Sequence, residues 1–145
     1  MRLALHAIGR LRGAEAELAA DYAKRLQGTF QIRELSGKTA KAEGAALLKA
    51  LPDKALVVLL DERGQDISSC ALAKKMQAWQ ESGPQDLVFL IGGADGVTEE
   101  VRGRADFILA FGRKTWPHKL VRVMLLEQLY RIQQINAGHP YHRSG

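Results

Sequence analysis

The stretch that most constrains this chain is Leu87–Gly96, Leu-Val-Phe-Leu-Ile-Gly-Gly-Ala-Asp-Gly, where an unbroken apolar run stops at three glycines that enclose one carboxylate. A short run with no polar alternation fits a strand buried on both faces, as in a parallel sheet covered by helices. In open α/β sheets of that kind, ligands sit beyond the carboxyl ends of the strands. Gly92, Gly93 and Gly96 then read as a ligand loop, because glycine admits close backbone approach and positive φ. A tight turn without a ligand satisfies the same residues, and Asp95 either faces a ligand or closes that turn. Ala55–Leu60 is a second fully apolar run, and Asp61-Glu62-Arg63-Gly64 follows it as a loop at another ligand-facing edge.

The remaining segments supply a consistent frame. Arg2–Ile8 and Phe30–Leu35 alternate with the period of strands, and Asp106–Ala110 is one more short strand. Helical spacing marks Ala14–Gln27, Lys41–Leu51 and Cys70–Glu81; Ser68 is placed to cap the last of these, and Thr98 to cap a further short helix. Strands alternating with helices predict one domain over residues 1–145, a mostly parallel sheet with helices on both faces. After the Phe111–His118 loop comes the helix Lys119–Asn136, apolar around more than one stripe. One of its faces is expected on the sheet and another on an identical chain, making a homodimer.

Composition narrows the function. The net charge of +5 and pI near 9.6 favour an anionic partner such as nucleic acid. No apolar run reaches the length of a membrane span, and the chain opens on a strand pattern with no signal-peptide layout, which predicts a cytoplasmic protein. Cys70 is the single cysteine, excluding an intramolecular disulfide and a cysteine zinc cluster; it reads as a small buried hydrophobe. His6 reads as a packed strand histidine, and Lys38-Thr39-Ala40-Lys41 as a solvated or RNA-contacting loop. No metal is expected, since His139 and His142 lack a third ligand close in sequence.

The ordered set Leu59-Leu60-Asp61, Leu90-Ile91-Gly92-Gly93-Ala94-Asp95-Gly96, Thr115-Trp116-Pro117-His118, Val121-Arg122, Glu127-Gln128-Leu129-Tyr130-Arg131 and His139-Pro140-Tyr141-His142-Arg143 resembles the ribosomal large-subunit pseudouridine N3-methyltransferase family, within the SPOUT superfamily of knotted methyltransferases. The resemblance spans Arg2 to Arg143. It implies a C-terminal trefoil knot, S-adenosylmethionine as methyl donor, and ribosomal RNA within the ribosome as substrate. Cofactor contacts carried over are Leu60, Gly93 and the loop Gly112, Arg113, Lys114, Thr115, Trp116 and Pro117. That loop departs from the family, which usually has a serine near Gly112 and an apolar residue near Lys114.

Methylation at N3 requires an imide nitrogen aligned with the methyl carbon and the loss of its proton. His142 and His139 are candidate bases, with Tyr141 stacking on or hydrogen-bonding the target base. Arg143, Arg122 or Lys114 is placed to stabilise the developing oxyanion or hold phosphate, Arg113 to hold phosphate, and His118 either to line the helix start or to touch RNA. Two other readings are a non-catalytic RNA-binding dimer on the ribosome and a mononucleotide-binding domain with phosphate at the Thr98 helix. The chain has no G-x-x-x-x-G-K-[ST] segment for ATP hydrolysis.

Overall fold

A computed structural model of the chain describes residues 1–143. Strands β1 (Arg2–Ile8), β2 (Phe30–Leu35), β3 (Leu56–Gln65), β4 (Asp86–Ile91) and β5 (Phe107–Leu109) alternate with helices α1 (Gly13–Arg25), α2 (Ala40–Lys49), α3 (Ser69–Glu81), α4 (Glu99–Arg104) and α5 (His118–Ala137). The strands form one sheet in the order β2-β1-β4-β3-β5, with every pairing parallel. The expected α/β sheet, covered on both faces, is therefore what these residues build.

Period two explains the two cores. Leu5, Val58, Leu87 and Phe89 point to the face covered by α1, α3 and α5, where they meet Ala19, Leu72, Leu125 and Leu129. Val57, Leu59, Val88 and Leu90 point the other way, onto Leu47 of α2 and Val101 of α4. Side-chain caps fix the helix starts: Thr39 accepts from the Ala42 amide at 3.1 Å, Ser68 from Ala71 at 3.1 Å and Thr98 from Val101 at 3.3 Å. The Lys38–Lys41 segment thus begins a helix.

Two expectations are corrected. Strand β3 continues through Asp61–Gln65: its register shifts after Leu60, so that Leu60 and Gln65 both pair with Leu109. Gly64 makes this possible, since a Cβ there would lie 2.6 Å from the Ile108 carbonyl oxygen. Cys70 is exposed, because Leu72, Ala73 and Met76 set the buried stripe of α3 and Cys70 lies off it. His6 is packed as expected, and Trp79 meets Phe107 edge-on with ring centroids 5.7 Å apart.

The topology also places the ligand edge. Neighbouring strands β1 and β4 send their following connections to opposite sides of the sheet, to β2 and to β5, through helices on opposite faces. Such a switch point leaves a crevice at the carboxyl ends of the strands.

Candidate active site

A cavity of about 740 Å³ opens at the carboxyl ends of β3, β4 and β5, within the size range of small-molecule sites. Leu60, at the register shift of β3, and Ile91 and Leu109, which end β4 and β5, form its base; the Gly92–Val97 turn forms one wall, and Phe111, Gly112 and Lys114–Pro117 another. His118 and Val121 enter from the first turn of α5. Of the expected cofactor residues, Leu60, Gly93, Gly112, Lys114, Thr115, Trp116 and Pro117 line the cavity. Arg113 does not: the chain turns at Gly112, whose φ is +91°, and Arg113 is exposed outside.

The walls are held by contacts between distant segments. The Trp116 indole N–H donates to the Phe111 carbonyl at 3.0 Å and closes the loop on itself. The Thr115 hydroxyl donates to the Glu62 carboxylate on the extension of β3. Asp61 accepts from Arg102 Nε at 2.8 Å, and Arg102 also reaches Glu99 at 2.7 Å. Asp61, Glu62 and Asp95 thus put carboxylates around a cavity whose base is apolar. The Glu62–Thr115 and Asp61–Arg102 pairings have no local sequence signal, because they join residues 53 and 41 positions apart.

At the β1–β4 crevice the residues take parts different from those expected. Arg122 is only 1% exposed; its guanidinium donates to Glu34 Oε2 at 2.6 Å, to the Gly9 carbonyl at 2.9 Å and to the Ile8 carbonyl at 3.2 Å. It therefore ties α5 to the ends of β1 and β2 and presents no free charge to RNA. His118, one turn earlier on α5, rests with Nε2 3.9 Å from where a Cβ of Gly9 would stand. The space a side chain at Gly93 would need is taken by protein: its Cβ would fall 2.9 Å from Glu43 Oε2 and 3.1 Å from Ile8 Cγ2. Gly93 thus permits a close approach of Glu43 as much as of any ligand.

The C-terminal tail lies along its own α5. Gly138 ends that helix at φ +76°, and the tail turns back so that the Tyr141 hydroxyl donates to Glu127 Oε2 at 2.9 Å. Desolvation, then this hydrogen bond, pushes the Tyr141 hydroxyl up to about 12. Arg131 donates to His142 Nδ1 at 3.1 Å and pairs with Glu127 at 2.7 Å. Arg143 and His139 are exposed, and none of the four tail candidates lines the cavity. Among the described residues no group of three or more His, Cys, Asp or Glu is placed to hold a metal ion, and no helix is long and apolar enough to cross a membrane.

A family described as "Predicted SPOUT methyltransferase" matches residues 1–142. The chain belongs to the SPOUT methyltransferase family. It is 49% identical to "Ribosomal RNA large subunit methyltransferase H" of Rhodospirillum centenum, covering 99% of this chain and 100% of that one. Proteins of the same name from Paramagnetospirillum magneticum, at 49% identity with 99% of each chain covered, and from Rhodopseudomonas palustris, at 42% with 99% and 100% covered, are similar along the whole length. A SPOUT methyltransferase needs a methyl donor, and the cavity is large enough to hold a small molecule of that kind. Its apolar base suits a flat heterocycle, and its rim mixes the carboxylates of Asp61, Glu62 and Asp95 with the cations of Arg63, Arg102 and Lys114 for polar contacts.

Proposed function

We propose that this protein transfers a methyl group from S-adenosylmethionine to N3 of a pseudouridine in large-subunit ribosomal RNA, acting in the cytoplasm as a homodimer on the assembled ribosome. The observation that carries this reading is the cavity at three parallel strand ends, formed by the Gly92–Val97 turn and the loop before α5, in a chain alike from end to end to relatives named for large-subunit RNA methylation. The trefoil knot belongs to the same reading, with the segment leading into α5 threaded so that the cavity loops are held without a lid.

When bound, the donor supplies an electrophilic methyl carbon on a sulfonium. The protein's own residues bind and orient. Leu60, Ile91, Leu109 and Val121 exclude water from the cavity base, while Glu62 and Asp95, which make no ion pair among the described residues, are the lining carboxylates left to meet the donor's positive charge. Holding the imide nitrogen in line turns a two-body encounter into an effectively unimolecular step. Exposed Arg113 and Lys114 stand at the mouth to hold RNA phosphates, which position the target without reading its sequence.

The tail completes the site in trans. Its anchors Glu127 and Arg131 lie roughly 14–20 Å along α5 from His118, at about 1.5 Å per residue, and the tail residues stay out of their own cavity. Two α5 helices packed antiparallel bring Tyr141, His142 and Arg143 of each subunit to the partner's cavity. Exposed apolar Leu18 and Leu120, on α1 and α5, offer surface for that packing.

Mass spectrometry of large-subunit RNA from cells lacking the gene tests the reaction: one pseudouridine loses its N3 methyl group and regains it when the gene is restored. An unchanged methylation pattern would sink the reading. Purified large subunits and naked RNA, offered side by side, distinguish the two forms of substrate.

A further inference from the structure

Resting on that methyl-transfer reading, we propose that His118 accepts the N3 proton and that Glu43, packed behind Gly93, is the positioning carboxylate that stabilises the resulting imidazolium. The two side chains come from different helices to adjacent strand ends. Strands β1 and β4 pair in parallel with Ala7 opposite Ile91, so Gly9 and Gly93 follow side by side at the switch-point crevice. The His118 imidazole rests over Gly9, and the Glu43 carboxylate rests against Gly93. Neighbouring strands are about 4.8 Å apart, which brings both groups to one small region.

Three observations favour this assignment. Among the described residues His118 is the one histidine that lines the cavity; His6 is sealed in β1 and His142 Nδ1 accepts from Arg131. Glu43 Oε1 is buried with no hydrogen-bond partner. A buried acceptor left unpaired is costly, and a carboxylate of that kind is suited to a positive charge that arises only during turnover. Arg122 fixes the helix turn carrying His118 through Glu34 and the two β1 carbonyls, so the imidazole is held by a rigid element.

The charges around His118 suit a base. Burial, then Lys119 and Arg122 on its own helix, hold its proton affinity below the ordinary value, while Glu43 of α2 and Glu15 of α1 oppose them. The imidazole is then neutral near pH 7 and free to take a proton. In the step, the N3–H bond breaks and its proton passes to an imidazole nitrogen, leaving the electron pair on N3. That pair forms the N–C bond to the methyl carbon. The C–S pair leaves with sulfur, which goes from sulfonium to neutral thioether, and the imidazolium returns its proton to water. The positive end of α5 favours the transient imide anion.

The test compares wild type, His118→Asn and Glu43→Gln in single-turnover methyl transfer to large subunits across mildly acidic to mildly alkaline pH, with histidine NMR titration and donor calorimetry on the same samples. Wild type is expected to rise with pH and level off as His118 loses its proton. With donor saturating, His118→Asn is expected to lose about 10²-fold or more in rate and to lose that rising limb. Glu43→Gln removes a group that raises the proton affinity, so both the NMR titration of His118 and the limb move to lower pH together. A His118→Asn variant that keeps the rate and the limb overturns the proposal, as does a His118 titration that Glu43→Gln leaves in place. Should His118→Asn fail to fold, Glu43→Gln decides: a His118 titration that moves while the rate limb stays in place overturns the proposal. Wild type that methylates no pseudouridine fails the parent reading instead, and is recognised by product analysis before any variant is compared.

Discussion

At Arg122 a charge that the sequence places among RNA contacts is withdrawn into the protein and spent on joining β1, β2 and α5. Removing one member of a buried pair costs about 3–5 kcal/mol; Glu34 is 38% exposed on its side chain and Arg122 keeps its two carbonyls, so Glu34→Ala is expected near the lower end of that range. Urea denaturation measures it, and a loss under about 1 kcal/mol, the value of an exposed pair, would show that the carbonyls suffice. His6 acts through pH. Burial, then Arg33, lowers its proton affinity in the folded chain, so the unfolded chain binds a proton that the folded one refuses as pH falls through about 6.5. Stability drops on that acid side and is unaffected above it. His6→Leu is expected to shrink the fall in urea midpoint between about pH 7 and about pH 5; an unchanged fall would assign the acid sensitivity to other groups.

Between elements, the α2–α4 contact depends on Gly44. Alanine in a helix interior normally stabilises by about 1 kcal/mol over glycine. Here a Cβ would stand 3.0 Å from Thr98 Oγ1 and 3.2 Å from Val101 Cγ2, and neither can yield: Thr98 is held as the α4 cap and Val101 is fully buried. Gly44→Ala is therefore expected to lower the thermal midpoint, and a rise would mean that α4 shifts freely. The strands and long helices were legible in the sequence because period two and period 3.6 are local properties. The β3 extension was not, since Asp61-Glu62-Arg63-Gly64 reads as a polar loop and becomes strand only through its pairing with β5. In the site, Leu60, the Gly92–Gly93 turn and the loop before α5 were legible from glycines, strand ends and family resemblance. Glu43, Arg102 and the exposure of Cys70 were not, because each depends on which helix face meets which strand end.

For the whole molecule, charge and assembly make separate predictions. Arg113→Ala with Lys114→Ala is expected to weaken binding to large subunits and to reduce the slope of log affinity against log salt by roughly 0.7–0.9 per lost phosphate contact. A slope equal to wild type would make these two residues solvated bystanders. The proposed trans arrangement of the tail predicts complementation between two inactive chains, Gly93→Val with its tail intact and a chain ending at Ala137 with its cavity intact. A side chain at Gly93 presses on the flexible Glu43 carboxylate and on Ile8, so melting and donor binding are checked first. Methyl transfer is expected to return only in the mixed dimer, and none in a verified mixed dimer would assign each tail to its own cavity.

The strand order also sets a timetable for biosynthesis. β1 is made first and can pair with β2 once residue 35 has emerged, yet its other edge belongs to β4, with Leu3 opposite Leu87. At about 5–20 residues per second, the 52 positions from Leu35 to Leu87 take roughly 3–10 s to translate. Throughout that interval the nascent chain carries an open strand edge beside its first βαβ unit, and pairing with another chain competes with folding until β4 arrives.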